Sequence, residues 1–132
     1  MIKEFVDRFM AGKPKLEEVF SKGHPGGYSD IVKAVVEVIR DVENNYSTPD
    51  PERIHEIDDG DYQGTLVYVI GDTGYQPYHY WYVKVGYGSC SGCDTLNGIR
   101  DYDYGDVPTP EQVKEYLGLA LHIVQGLKKM GD

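Results

Sequence analysis

Two short runs of residues constrain the fold of this chain more than any other feature. The runs GTLVYVIG, residues 64 to 71, and YHYWYVKVG, residues 78 to 86, consist mainly of β-branched and aromatic residues, which are typical of strands. Between them lies DTGYQP, which contains the Gly, Pro and Asp that tight or bulged turns use. The two runs therefore predict an antiparallel β-hairpin in the middle of the chain.

The alternation along the second run predicts which side of the hairpin packs on the core. Successive side chains of a strand point to opposite faces. One face carries His79, Trp81, Val83 and Val85, and the other carries Tyr78, Tyr80, Tyr82 and Lys84. Because the first face has the larger apolar content, we expect it to be the core face.

Helical spacing of apolar residues dominates the first third of the chain. Residues 1 to 22 predict two short helices separated at Gly12 and Pro14, since both residue types interrupt helices. The loop GHPGGYSD follows, and Ser29 or Asp30 would cap a third helix. Its expected buried stripe comprises Val32, Val35, Val36, Ile39 and Val42.

The end of the chain carries the clearest helix signal. Thr109 is a predicted N-cap, Pro110 suits the first helical position, and Gln112 completes a capping box. The pattern predicts a helix to about Met130 that lies across the sheet, and Gly118 and Gly126 suggest close approach of another backbone. Its expected buried stripe is Val113, Leu117, Ala120, Val124 and Leu127.

Two polar segments complete the predicted architecture. Residues 44 to 61 are rich in acidic residues and read as a solvated connection with a short edge strand at 54 to 57, and IRDYDY at 99 to 104 would add another edge strand. The chain length suits one domain, residues 1 to 132. The sequence thus predicts an α+β fold in which a small antiparallel sheet of three or four strands packs on helices, with a long helix at the C-terminal end.

The charge of the chain restricts its partners. Asp and Glu number 22 against 13 Lys and Arg, a formal net charge of -9, which repels phosphate backbones and anionic lipid. Nucleic acid is therefore an unfavourable partner, and a protein partner is the better expectation. The absence of any long apolar run predicts a soluble protein of the cytoplasm with no membrane association.

The stretch YGSCSGCDTLNG contains both cysteines, Cys90 and Cys93, in C-x-x-C spacing. This spacing suits half of a tetrahedral zinc site, and His79 and Asp94 are candidates for the missing ligands, as are His24, His55, His122 or a second copy of the chain. A redox dithiol is another interpretation, although the βαβ context of such sites is not apparent. A glycine-rich structural turn at the exit of the hairpin is the interpretation that the residues favour most.

The histidines have plain structural interpretations as well. His122 lies within LALHIV and is expected to be a hydrogen-bonded core residue, and His79 a sheet-edge residue bonded to a neighbouring carbonyl. His24 lies in a loop whose glycines lack the context of a phosphate-binding motif.

Tyrosines of the hairpin form the second candidate site. Tyrosine brings a large contact area and a polar tip to interfaces. The candidate binding surface comprises Tyr75, Tyr78, Tyr80, Tyr82 and Tyr87, with Tyr68 on the same predicted face. We expect an aromatic surface with an acidic rim.

The segment YWYVKVGYGSCSGCDTLNG resembles part of a group of small uncharacterised proteins encoded by bacteriophages or prophages, in which a Tyr/Val-rich strand leads into a Gly-Ser-Cys-Ser-Gly-Cys-Asp loop. The resemblance covers about a sixth of the chain, residues 81 to 98. It implies a phage origin and brings no activity with it. The positions that it marks are Gly88, Ser89, Cys90, Ser91, Gly92, Cys93, Asp94 and Leu96.

Two functional hypotheses follow. The first is a non-enzymatic interaction protein, of phage origin as the resemblance implies, that binds a host or viral protein through its acidic, tyrosine-rich hairpin in the host cytoplasm. The second is a small zinc protein or dithiol enzyme that uses Cys90 and Cys93. Mimicry of DNA by the acidic surface is compatible with the charge but lacks a regular array of acids.

Overall fold

The computed structural model describes residues 2–40, 48–60, 64–72, 79–87, 99 and 107–130. Within these ranges the chain forms three helices and one four-stranded antiparallel sheet, which confirms the predicted α+β fold. The elements in chain order are α1 (Ile2–Lys22), α2 (Tyr28–Ile39), β1 (Pro49–Gly60), β2 (Gly64–Asp72), β3 (Tyr80–Tyr87), α3 (Pro110–Gly126) and β4 (Lys128–Lys129).

The sheet has the strand order β1-β2-β3-β4, and each neighbouring pair is antiparallel. The predicted hairpin is confirmed, because β2 and β3 pair from Gly64 with Tyr87 to Gly71 with Tyr80. The predicted core face is also confirmed, since Trp81, Val83 and Val85 are buried. We call this helix-covered side of the sheet the inner face.

The polar stretch before the hairpin is more ordered than its composition predicts. Instead of a connection with a short strand at 54 to 57, β1 is a 12-residue strand at the edge of the sheet. An edge strand has one neighbour and tolerates proline, which accounts for Pro49 and Pro51 at its beginning. Its register with β2 shifts between Pro49 and Ile54, so the strand lacks the continuous alternation that identifies a strand from sequence.

The N-terminal region is one helix, and the predicted division into two at Gly12 and Pro14 is wrong. Pro14 lacks the N–H that would bond the carbonyl of Met10, but both residues are exposed, so water can solvate that carbonyl. The buried residues of α1 are Phe5, Phe9, Leu16 and Phe20. These residues lie on one side of a continuous helix on both sides of Pro14. The free energy gained by burying them outweighs the free-energy cost of the proline.

Gly12 has a packing role rather than a helix-breaking one. A Cβ atom at this position would lie 2.8 Å from the Cβ of Val38, so α1 and α2 approach closely there. Only glycine permits this contact without displacing one of the helices.

The second helix begins one or two residues before the predicted cap. Gly27 is the N-cap residue and makes no side-chain capping bond, while Asp30 lies in the first turn and accepts a 2.8 Å bond from the N–H of Gly26. The buried stripe matches the prediction through Ile39, where the helix ends. Val42 lies outside the described residues.

The capping box of α3 is confirmed. The Thr109 hydroxyl accepts from the Gln112 N–H, and the Gln112 side chain accepts from the Thr109 N–H. The predicted end at Met130 is wrong, because α3 stops at Gly126 and the chain continues into β4. The helix packs mainly against α1 and reaches the sheet at β3 rather than lying across it.

The two glycines of α3 differ in their surroundings. A Cβ at Gly126 would lie 3.3 Å from the Cγ2 of Val83, so the expected close approach exists, but to a side chain. Within the described residues, a Cβ at Gly118 would have no atom of another element within 4 Å, so the expected close approach of a backbone is not found there. Among the described helices, none is long and apolar enough to cross a membrane.

Candidate interaction surface

The strand register identifies the side chains that share the outer face of the sheet. Directly paired residues of antiparallel strands lie on the same face. One row joins Ile57, Val67 and Lys84, and the next joins His55, Val69, Tyr82 and Lys128. Tyr80, opposite Gly71, extends the same face. We call this set of residues the outer face.

Apolar groups on the outer face are open to solvent. The side chains of Ile57 and Tyr80 are 54% and 39% exposed, and Val67, Val69 and Tyr82 are half-buried between them. Where described helices touch the sheet, they do so on the inner face: Phe5 packs edge-on against Trp81 at 6.2 Å between ring centroids. In the described part of the chain, the outer face is thus an uncovered aromatic and aliphatic patch.

Charges are distributed unevenly around this patch. Acidic residues follow β1 at one edge: Asp50, Glu52, Glu56 and Asp58. Two of them pair with basic groups, since Arg53 lies 3.4 Å from Asp50 and Lys33 lies 3.6 Å from Glu52. Lys84 and Lys128 lie towards the opposite edge and are exposed. Glu56 and Asp58 pair with Tyr68 and Leu66 of the inner face. The outer face itself carries Lys84 and Lys128, and an acidic rim around it stays a prediction from the sequence.

The predicted tyrosine surface is recovered in part. Tyr80 and Tyr82 lie on the outer face as expected. Tyr87 is the last residue of β3 and pairs with Gly64. Tyr75 and Tyr78 lie outside the described residues.

Tyr68 does not belong to this surface, contrary to expectation. It pairs with Val83 on the inner face and is fully buried, with its hydroxyl donating a 2.6 Å bond to Oε1 of Glu56. Burial raises the pKa of Tyr68 far above its ordinary value, and the bond to Glu56 raises it further. Tyr68 is therefore a neutral core residue whose polar tip reaches an exposed carboxylate.

His79, one of the proposed metal ligands within the described residues, lies just before β3. Its N–H donates to Oδ2 of Asp72 at 3.1 Å, and its carbonyl accepts the Asp72 N–H. Its ring packs against Trp81 at 6.5 Å between ring centroids. The buried Asp72 thus closes the end of the hairpin, and Arg53 donates to its carbonyl oxygen at 2.9 Å.

The other members of the proposed metal site, Cys90, Cys93 and Asp94, lie outside the described residues. Within the ranges that the structure describes, no three His, Cys, Asp or Glu side chains form a cluster that could hold a metal ion. A zinc or dithiol site at the cysteines stays a prediction from the sequence.

Two histidines differ from their predicted roles. His122 is exposed on α3 rather than buried in the core. His24 is more than a loop residue, because its Nδ1 lies 2.6 Å from the buried hydroxyl oxygen of Tyr116 and its Nε2 is buried without a partner in the described part of the chain. The sequence carried no signal for this pair, since 92 positions separate the two residues.

Compared with known proteins, the chain matches no family model, and no curated protein or solved structure shows significant similarity to it. The function is therefore inferred from the chemistry of the surface.

Proposed function

We propose that this protein is a non-enzymatic interaction module that binds another protein through the outer face. The observation that carries the proposal is the exposure of Ile57 and Tyr80 above a half-buried floor of Val67, Val69 and Tyr82. Contiguous apolar surface of this kind is costly to leave in water and favours an interaction site. Tyrosine is among the residues that contribute most to binding in interfaces.

The dimensions of the patch indicate how a partner would contact it. Three strands at about 4.8 Å spacing and four residue steps of about 3.4 Å give an apolar centre of roughly 10 by 14 Å. A standard interface buries about 800 Å² per partner. The charged residues around the outer face would therefore form the polar rim of the interface.

The net charge of the chain favours a basic partner. The β1 edge carries exposed acidic side chains, and the chain has a formal net charge of -9. Such a field increases the rate at which a basic partner associates and repels nucleic acid.

The setting of this interaction belongs to the same proposal. The resemblance of residues 81 to 98 to phage proteins suggests that the partner is a host or viral protein, encountered in the cytoplasm of the host.

The enzymatic alternative has less support in the described residues. Asp72, a buried carboxylate, binds the backbone of His79 and so acts in closing the hairpin. The thiol and zinc hypotheses depend on Cys90 and Cys93, and they are tested separately below.

A pair of matched double variants tests the proposal. Ile57→Ser with Tyr80→Ser removes two exposed apolar side chains from the outer face, and Met10→Ser with Val19→Ser removes two exposed apolar side chains from α1. Each protein is immobilised and incubated with a lysate of the organism that encodes the chain, and captured proteins are quantified by mass spectrometry.

We expect a partner that the wild type and the α1 variant capture equally and the outer-face variant captures at least tenfold less. This loss corresponds to about 1.4 kcal/mol or more, a size that a minority of interface residues reach when truncated. Equal capture by both double variants, or loss with the α1 variant alone, would refute the proposal.

A further inference from the structure

A groove of about 410 Å³ lies between β3 and the second half of α3. Its apolar wall is formed by Val83, Val85, Leu119 and Ile123, and Tyr28 also lines it. The apolar wall of the groove lies on the inner side of the sheet, where Val83 and Val85 point, and Lys84 is the residue that the groove shares with the outer face. Its volume lies within the range of about 300 to 1,000 Å³ that is usual for binding clefts.

One side of this groove is a strand edge with open backbone groups. The carbonyl of Tyr80 accepts the Met130 N–H at 2.8 Å, so Tyr80 and every second residue after it direct their backbone groups away from β2. In the described residues, β4 pairs with β3 only at Trp81 and Tyr82. Lys84 and Gly86 both line the groove, and no described strand pairs with them on this side, so within the described residues their N–H and C=O groups are open.

The charge of the groove contrasts with that of the whole chain. Its lining includes Lys84 and His122 but no carboxylate, although the protein carries 22 acidic residues. Lys128 follows α3 and is exposed on the same side of the sheet as Lys84. The site thus favours an acidic occupant, although the chain as a whole is acidic.

We propose that this groove binds an extended acidic peptide segment of a partner protein, which adds a strand beside β3. The segment would form backbone hydrogen bonds with Lys84 and Gly86, as extended peptides do at open sheet edges. Alternate side chains of a strand point to opposite sides. Those directed towards Leu119 and Ile123 would be apolar, and those directed towards Lys84 and Lys128 would be acidic.

Amide hydrogen exchange of the full chain, followed by NMR, tests whether the edge is open. The amides of Lys84 and Gly86 should exchange quickly in the free protein, whereas those of Val83 and Val85, which face β2, should exchange slowly. Slow exchange at Lys84 and Gly86 in the free protein would mean that another part of the chain already pairs there, and it would overturn the proposal.

The binding probe is a terminally blocked six-residue peptide of alternating valine and glutamate. We expect it to protect the amides of Lys84 and Gly86 and to shift the resonances of Leu119 and Ile123. The matched peptide of alternating valine and lysine should bind about tenfold more weakly, because it places cations beside Lys84 and Lys128. Equal affinity for the two peptides, or no binding of either, would contradict the inference.

Methylated peptides separate strand pairing from other modes of binding. In an added strand, alternate peptide amides face β3. N-methylation of that set should abolish binding, whereas methylation of the other set should leave affinity within about threefold. If both sets bind equally, the peptide does not pair with the edge and the proposal fails.

Two charge variants of the protein complete the test. Lys84→Glu should weaken the valine–glutamate peptide by about fivefold or more, as expected when an attractive charge becomes repulsive. Lys114→Glu makes the same change at an exposed position of α3 that does not line the groove, and its effect should be less than twofold. Equal effects would show general electrostatic attraction and would overturn the site. The outer-face variant Ile57→Ser with Tyr80→Ser should still bind this peptide, so the two proposals can fail independently.

Discussion

The inner and outer faces of the sheet are built from the same three strands, yet the described helices cover only the inner face. On the inner face, Trp81 and Tyr68 are almost fully buried beneath the helices, whereas on the outer face Tyr80 is 39% exposed. Both faces carry aromatic and β-branched residues. The comparison teaches that aromatic content does not distinguish the buried face of a sheet from its exposed face, and that the position of a residue in the strand register does.

The largest expected difference between the faces is in the free energy of unfolding. Trp81→Ala should lower it by about 3 to 5 kcal/mol, because a large buried side chain is replaced by a cavity. Tyr80→Ala, one residue away on the outer face, should lower it by about 0.5 kcal/mol or less. Denaturant unfolding of the two variants measures both values. Similar losses would show that the outer face is buried within the protein and would remove the contrast.

The cysteine segment that follows β3 gives the next test, because a metal there would stabilise the end of the strand common to both faces. Replacing Cys90 and Cys93 with Ser should lower the free energy of unfolding by no more than about 1 to 2 kcal/mol. Loss of a structural zinc site would cost far more. Elemental analysis of protein purified without chelator, with thiol titration before and after denaturation, decides whether the cysteines are zinc ligands or part of a structural turn. Zinc near one per chain with both thiols masked would make the cysteines ligands.

The buried tyrosine of the inner face predicts a specific pH dependence. Unfolded Tyr68 ionises near its ordinary pKa of 10.0, while burial keeps the folded side chain protonated at that pH. Stability is therefore complete below pH 10 and falls as the pH rises above it, because the unfolded state loses the proton more readily. Unfolding measured from pH 8 to 11 should show this decline.

Tyr68→Phe should lower stability by about 1 kcal/mol at neutral pH, since one hydrogen bond is lost and its Glu56 partner is solvent-exposed. It should also reduce the alkaline decline. Glu56→Gln leaves Tyr68 buried, and burial is the main cause of the raised pKa of Tyr68. Most of the alkaline decline in stability should therefore remain in this variant. An unchanged decline in Tyr68→Phe would show that another group is responsible.

The smallest expected effect is on the stability of the outer-face variant. Ile57→Ser with Tyr80→Ser should change the free energy of unfolding by about 0.5 kcal/mol or less, because both side chains are exposed in the free protein. Thermal unfolding measures this change. A loss of several kcal/mol would mean that the patch supports the fold, and any loss of partner binding in that variant would then have a different explanation.

Local signals allowed the hairpin and the start of α3 to be predicted from the sequence. The alternation of residues 80 to 85 determines which side chains share a face, and the Thr109 and Gln112 capping bonds span three residues. The same alternation correctly placed Tyr80 and Tyr82 on the outer side. It misplaced Tyr68, because the relative register of β2 and β3 depends on their pairing and cannot be read from either strand alone.

The groove beside β3 was also beyond sequence reasoning. It depends on where α3 stops, and the helical pattern continued to about Met130 although the chain leaves the helix after Gly126. Pairing of Lys128 with Tyr82 supplies backbone bonds that a longer helix would not make with the sheet. Tertiary contacts therefore decide whether the chain after Gly126 continues as helix or forms β4.

By itself, the sequence determined the α+β class, the central hairpin and its core face, and the capped C-terminal helix, because periodicity and capping act over a few residues. The tertiary structure decided that α1 continues through Pro14, that the acidic segment becomes an edge strand, and that Tyr68 is buried while Tyr80 is exposed. Each of those outcomes depends on burial against residues distant in the chain. The physical reason is that local preferences are worth about 1 kcal/mol or less per residue at most positions, while burying a large apolar side chain contributes more.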